Sequence, residues 1–125
     1  MPKLGRNMVY ASTKVKGLLA GYRFDFSCES TLQQQLEQVL RSNDILFRRE
    51  VVVSPKDRID FLLDGGMGIE VKIQGAPSAI YRQCRRYCQS DLITSLLLVT
   101  GRSMGLPETI EGKDCHVLLL GRSWL

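Results

Sequence analysis

Residues 58–73 read RIDFLLDGGMGIEVKI, two strand-like runs on either side of a glycine-rich turn. Apolar side chains alternate along both runs, as in β-strands with one buried face: Ile59, Phe61, Leu63, Ile69, Val71 and Ile73. A three-residue loop makes this a hairpin that pairs Ile59 with Val71 and Phe61 with Ile69. A slip of one residue would place the two apolar sets on opposite faces, so the register is tightly constrained.

The same register predicts that Asp60 lies opposite Glu70, with Lys72 on the same face. Like charges directly across a strand pair destabilise it unless something offsets them. A divalent cation would do so, because Mg²⁺ binds one or two carboxylates and keeps room for water and phosphate. The adjacent lysine can neutralise the carboxylates without metal, or act on an attacking water when metal and substrate are bound. The alternative is a solvated strand face with alternating charges.

The rest of the chain predicts a single mixed α/β domain with the element order α-β-β-β-α-β-β. Leucine and valine recur at helical spacing over residues 30–43, with Ser27 or Ser30 as the cap. Branched and aromatic residues favour strands elsewhere, and proline near position 77 suits the first turn of a second helix. The remaining elements are a strand over residues 46–54, a helix over 77–89, and strands over 93–100 and 115–121.

A chain of 125 residues is long enough for one core. The first 23 residues carry five basic residues and no acidic one, and residues 1–27 show no clear periodicity. We therefore expect a basic N-terminal arm or a short hairpin over residues 1–27, followed by a domain over residues 28–125.

The formal net charge of +4 is concentrated in clusters, which favour phosphate-bearing partners, although a solvated basic surface is the alternative. The apolar run Leu96–Val99 is too short to span a bilayer, and the N-terminus lacks the apolar run of a signal peptide. We expect a cytoplasmic protein without membrane contact. The chain has no glycine-rich phosphate loop and no GxSxG nucleophile motif.

Four cysteines are present in a chain without secretory features, so we expect no disulfides. Cys84 and Cys88 share a helix face and, with Cys115 and His116, could form a zinc site. The chain lacks a CxxC pair, and buried reduced thiols are the alternative interpretation. His116 lies in an apolar strand, where a core or edge position is more typical than a catalytic one.

Asp60 followed by Glu70-Val71-Lys72 resembles the signature of the PD-(D/E)xK nuclease superfamily, with Ile59 at the position of the family's frequent proline. The resemblance covers residues 29–100, where the predicted order matches the family's helix, three strands, helix and strand. It implies a restriction-endonuclease-like core. It also implies metal-dependent hydrolysis of phosphodiester bonds in DNA.

The resemblance assigns roles to these residues. Asp60 and Glu70 would bind Mg²⁺ or Mn²⁺, with the Val71 carbonyl as a third ligand. Lys72 would act on the nucleophilic water. Glu29, at the start of the first predicted helix, would hold a metal-bound water.

Gln83 and Tyr87 are similar to the Gln-x-x-x-Tyr motif of the RecB-like branch. The resemblance implies that Gln83 reaches the metal waters or the phosphate and that Tyr87 contacts DNA. The alternative for Tyr87 is packing in the core beside Ile80 and Cys84. Three arginines on the same helix are candidates for binding the DNA backbone, or are simply solvated: Arg82, Arg85 and Arg86.

The kind of nuclease stays open at this point. A short chain without extra domains resembles Holliday-junction resolvases, which act as homodimers so that two sites cut symmetrically. The Gln/Tyr pair favours RecB-like enzymes that act on ends or single strands. A catalytically silent DNA-binding module on the same fold is the alternative from another class.

Overall fold

The computed structural model describes residues 9–121. These residues form one mixed β-sheet with helices packed on both of its faces. The helices are α1 (Ser12–Ala20), α2 (Glu29–Ser42) and α3 (Pro77–Cys88), and the strands are β1 (Phe47–Ser54), β2 (Asp57–Leu63), β3 (Met67–Lys72), β4 (Ser95–Thr100), β5 (Thr109–Ile110) and β6 (Lys113–Leu119).

The sheet order is β1-β2-β3-β4-β6-β5. Neighbours among β1, β2 and β3 are antiparallel, β3, β4 and β6 run parallel, and β5 is antiparallel to β6 at the edge. The predicted α/β class with a single mixed sheet is confirmed. Two elements, α1 and the two-residue β5, are additional to the predicted order. None of the helices in the described part of the chain is long and apolar enough to cross a membrane.

Helix α1 lies where the sequence analysis expected a basic arm or a short hairpin. Val15 and Leu19, four residues apart, are buried against the core. Lys14, Lys16 and Gly17 interrupt the apolar pattern, so the helical period was too weak to identify from the sequence. Residues 1–8 of the expected arm lie outside the described residues.

Two apolar layers flank the sheet. Helices α1 and α2 cover one face, and the leucine and valine positions predicted for α2 are buried there. Helix α3 covers the other face. The N-cap of α2 is Cys28, without a side-chain capping bond, so neither Ser27 nor Ser30 caps this helix as predicted.

Strands β1 and β2 change faces in their middle. Their ladder pairs Arg49 with Phe61 and Val51 with Ile59, and Glu50 between these pairs has a φ of 52°. Ile59 therefore packs in the α3 layer, whereas Phe61 packs in the α2 layer. The prediction that both share one face is wrong, because strict alternation does not account for a residue with left-handed backbone in the partner strand. Asp60 lies at this change of face.

Asp57, at the start of β2, anchors α3 to the sheet. Asp57 is only 5% exposed. Its carboxylate accepts hydrogen bonds of 2.9–3.2 Å from Nε and one terminal nitrogen of Arg86. Hydrogen bonds from Arg86 lower the pKa of Asp57, against the opposing effect of burial. The contact fixes the last turn of α3 against the strand that carries Asp60.

We expect Asp57→Asn to lower the free energy of unfolding at pH 7 by about 1–3 kcal/mol, because a charge-assisted bond to a buried group is lost. A lowered folded-state pKa gives stability that is present at neutral pH and is lost as the pH falls. The difference between wild type and variant should therefore shrink below about pH 4. Urea unfolding across pH measures this.

Glu111→Gln is the matched control, because Glu111 forms an exposed 3.5 Å pair with Arg85, the residue beside Arg86. Its effect should stay below about 1 kcal/mol. Equal effects of the two substitutions would contradict a structural role for Asp57.

Candidate active site

The candidate site is centred on Asp60 and Glu70, which face each other where β2 and β3 separate. The ladder pairs Phe61 with Ile69, as predicted, and Leu62 with Gly68. Beyond the Phe61–Ile69 pair, hydrogen bonds to side chains replace those of the ladder. The Val71 amide donates to Asp60 Oδ2 at 2.8 Å, and the Asp60 amide donates to Glu70 Oε1 at 3.2 Å.

These reciprocal bonds place the two carboxylates together, as the register argument predicted. The predicted pairing of Ile59 with Val71 does not form, because the Asp60 carboxylate takes the Val71 amide instead. A side chain between two strands cannot be inferred from alternation alone. The site is thus a gap in the sheet that is filled by carboxylates.

Glu70 is buried, Asp60 is partly buried, and the pair is short of positive charge. Glu70 is 3% exposed, and burial, followed by the charge of Asp60, raises its pKa. Burial also raises the pKa of Asp60, and the charge of Glu29 adds to this. The Lys72 ammonium lies 3.7 Å from Glu70 Oε2 and is partly exposed. One lysine therefore faces more than one carboxylate.

Glu29 reaches this site from the first turn of α2. Its Oε2 accepts a bond of 3.1 Å from the Ile73 amide, just after β3. Glu37, two turns later, binds Arg41 and Arg49 instead. Glu29 therefore lies close to Asp60, whereas Glu37 forms ion pairs with two arginines.

Tyr87 of α3 is fully buried in the apolar layer between α3 and the sheet. Its hydroxyl donates to the Arg58 carbonyl at 3.2 Å and accepts from Gln83 Nε2 at 2.8 Å. Burial raises the pKa of Glu70, and the nearby Tyr87 hydroxyl opposes this in part. Tyr87 thus takes the core position of the alternative interpretation. It is not placed to contact DNA, and it supports Glu70 from behind.

The three arginines of α3 differ in their surroundings. Arg82 is exposed beside Gln83. Arg85 pairs with Glu111 at 3.5 Å. Arg86 forms an ion pair with Asp57, so its charge is already paired within the protein. The three do not act as one uniform basic face.

Cys84, Cys88 and Cys115, the cysteines of the possible zinc site, are buried in the α3 layer. Cys88 Sγ and Cys115 Sγ lie 3.7 Å apart. Cys28 is exposed at the start of α2. No group of three or more His, Cys, Asp or Glu side chains is arranged to hold a metal ion within residues 9–121. Cys84, Cys88 and Cys115 are buried free thiols, as in the alternative interpretation.

No family model, curated protein or solved structure matches the chain. The interpretation of the site consequently rests on the residues and contacts of this chain.

A divalent cation fits the donor chemistry of the Asp60–Glu70 pair. Two carboxylate side chains in mutual contact, with Glu29 close enough to raise the pKa of Asp60, leave a buried excess of negative charge. A cation at this point would offset it. Asp60 and Glu70 are the side chains that would hold the ion, and the Val71 carbonyl as a third ligand stays a prediction.

Sequence reasoning overlooked Arg49, which donates to the Asp60 carbonyl. A signal was present in the pattern of β1. Arg49 occupies an alternating position between Phe47 and Val51, on the face expected to be buried. A charged residue at such a position requires a partner inside the protein.

We expect Glu70→Gln to stabilise the protein in EDTA by about 1–2 kcal/mol at pH 8, because it removes repulsion and the burial of a charge. A raised folded-state pKa means that wild-type stability falls as the pH rises from the ordinary carboxylate range. The stability of the variant should decline less over the same pH range. Thermal and urea unfolding from pH 5 to 8.5 measure both quantities.

Glu50→Gln serves as control, since Glu50 lies exposed on β1 near Arg58. It should not raise stability. A Glu70→Gln protein that is less stable than wild type at pH 8 would refute the assignment of the pair as a strained, charge-rich site.

Proposed function

We propose that this protein is a divalent-metal-dependent nuclease that hydrolyses phosphodiester bonds in DNA. The observation that carries the proposal is the contact of Asp60 and Glu70 in a gap between strands, with the Lys72 ammonium 3.7 Å from Glu70. A buried pair of carboxylates destabilises a fold unless a ligand offsets it. Such a cost is typical of functional sites.

The chemistry follows from the residues present. Mg²⁺ or Mn²⁺ held by Asp60 and Glu70 would polarise the scissile phosphate and lower the pKa of a bound water. Lys72, partly exposed beside the carboxylates, would orient that water and move its proton. Glu29 holds the Ile73 amide with one oxygen, so its other oxygen can accept from a water.

Helix α3 supports the site from behind. Tyr87 orients Glu70, and Gln83 in turn fixes the Tyr87 hydroxyl at 2.8 Å. We therefore propose a positioning role for Tyr87 in place of the expected contact with DNA. Gln83 acts through Tyr87.

DNA is proposed as substrate because of the net charge of +4 and the exposed Arg82 close to Gln83. The preference for junctions, ends or single strands stays open, as do a homodimer and a cytoplasmic location.

The test is a cleavage assay on supercoiled plasmid, linear duplex, single strands and a four-way junction, with Mg²⁺, Mn²⁺ or EDTA. We expect Asp60→Asn and Lys72→Met to lower the cleavage rate at least about 100-fold, as expected for loss of a metal ligand or a proton-transfer group. Asp64→Asn, in the hairpin turn, and Lys56→Met, in the β1–β2 turn, are matched controls that should cut like wild type.

Thermal unfolding gives a readout independent of cleavage. Mg²⁺ or Mn²⁺ should raise the melting temperature of wild type and of both controls but not of Asp60→Asn, because only a bound ligand stabilises the native state. Cleavage that survives in Asp60→Asn does not come from this site, as with a contaminating nuclease, and refutes the proposal. Tight DNA binding without cleavage of any substrate would favour the silent DNA-binding module.

A further inference from the structure

Arg49 on β1 lies against the back of the candidate site. Its side chain is only 27% exposed, and the guanidinium carbon lies 4.5 Å from the centre of the Phe61 ring. Phe61 follows Asp60 directly in β2. The aromatic ring thus fixes the plane of the guanidinium next to the strand that carries the site.

All three guanidinium nitrogens of Arg49 have partners. Nε donates to the Asp60 carbonyl at 3.2 Å, and the two terminal nitrogens donate to Glu37 Oε1 at 2.7 Å and Gln33 Oε1 at 2.6 Å. Both of these acceptors belong to α2. One side chain therefore connects α2 to the main chain of Asp60.

Asp60 depends on such side-chain bonds because it lies in a break of both neighbouring ladders. On one side, Glu50 has a φ of 52°, and the ladder lacks the Glu50–Asp60 pair between Arg49–Phe61 and Val51–Ile59. On the other side, the ladder with β3 ends at Phe61. The Asp60 amide is held by Glu70, and its carbonyl is held by Arg49.

The α2 acceptors lie on the same helix stripe as a site residue. Glu29, Gln33 and Glu37 are spaced four residues apart, so they follow one another along one face. Glu29 binds the Ile73 amide after β3, whereas Gln33 and Glu37 bind Arg49. Movement of α2 relative to β2 would therefore disturb both the Glu29 contact and the Asp60 main chain.

We propose that Arg49, held by Gln33 and Glu37, is a positioning residue that sets where the Asp60 carboxylate lies relative to Glu70. The proposal rests on the nuclease function proposed above. Arg49 touches neither substrate nor metal in this role. It acts through the Asp60 main chain, and the planar fork of arginine is needed to reach two acceptors and the carbonyl together.

The chain offers a matched control in Arg41. Its guanidinium also binds Glu37, through Oε2 at 2.8 Å, and lies 5.2 Å from the centre of the Phe47 ring. Arg41 has no bond to Asp60 among the described residues. Arg49→Met and Arg41→Met thus remove similar side chains that differ in their connection to the site, and Arg49→Lys keeps the charge without the fork.

The first measurement is the steady-state rate on the preferred DNA substrate over a range of Mg²⁺ concentrations. Arg49→Met and Arg49→Lys should lower kcat about 10- to 100-fold and raise the Mg²⁺ concentration for half-maximal cleavage, since a misplaced ligand costs this much. The KM for DNA should change by less than about threefold, because binding away from the reacting centre is retained. Arg41→Met should match wild type.

The second measurement is amide hydrogen exchange, which does not require cleavage. The Val71 amide reports the Asp60 carboxylate that it binds, and the Ile69 amide in the adjoining ladder reports the strand itself. Arg49→Met should exchange at least about tenfold faster at Val71 with little change at Ile69, whereas global destabilisation would accelerate both.

The outcomes are distinguishable. The positioning role would be overturned if both Arg49 variants kept the wild-type kcat and the wild-type exchange rate at Val71. It would also be overturned if exchange accelerated equally at Val71 and Ile69. An equal loss of activity in Arg41→Met would also overturn it. If wild type cuts no DNA, the nuclease proposal fails, and selective acceleration at Val71 alone would still support positioning of Asp60 by Arg49.

Discussion

The exchange of hydrogen bonds between Asp60 and β3 is the constraint on which the rest of the structure depends. The Asp60 carboxylate takes the Val71 amide, and the Glu70 carboxylate takes the Asp60 amide. Two charged groups thereby replace neutral ladder bonds inside the sheet. Burial raises the pKa of both carboxyl groups, and the charge of Asp60 adds to this at Glu70 as the charge of Glu29 does at Asp60. The surrounding elements therefore have to hold the two groups in place and offset their charge.

Each neighbouring element meets part of this requirement in a different way. Strand β3 adds the ammonium of Lys72 beside Glu70. Helix α3 adds the buried Tyr87 hydroxyl, and Asp57 fixes that helix to β2 through Arg86. The main chain of Asp60 has no ladder partner in β1, where the residue opposite has a φ of 52°, and an arginine supplies the donor. The site is therefore stabilised largely by side chains.

The Gln-x-x-x-Tyr motif shows how a pattern can identify the right positions and leave their role open. The spacing of Gln83 and Tyr87 predicted that both face one side of a helix, and they form a 2.8 Å bond. The expected contact of Tyr87 with DNA does not agree with its full burial, because that side of α3 faces the sheet. Spacing defines a helix face, whereas packing decides whether that face meets protein or solvent.

The sequence by itself predicted the hairpin and the meeting of Asp60 with Glu70, because a slip of one residue would place the two apolar sets on opposite faces. It also determined the α/β class. Only the tertiary structure decided that β2 changes faces, that α1 packs on the core, and that Arg49 holds the Asp60 main chain. These features depend on contacts between distant segments. Such contacts follow from how surfaces fit together, and the local pattern of one segment does not contain that information.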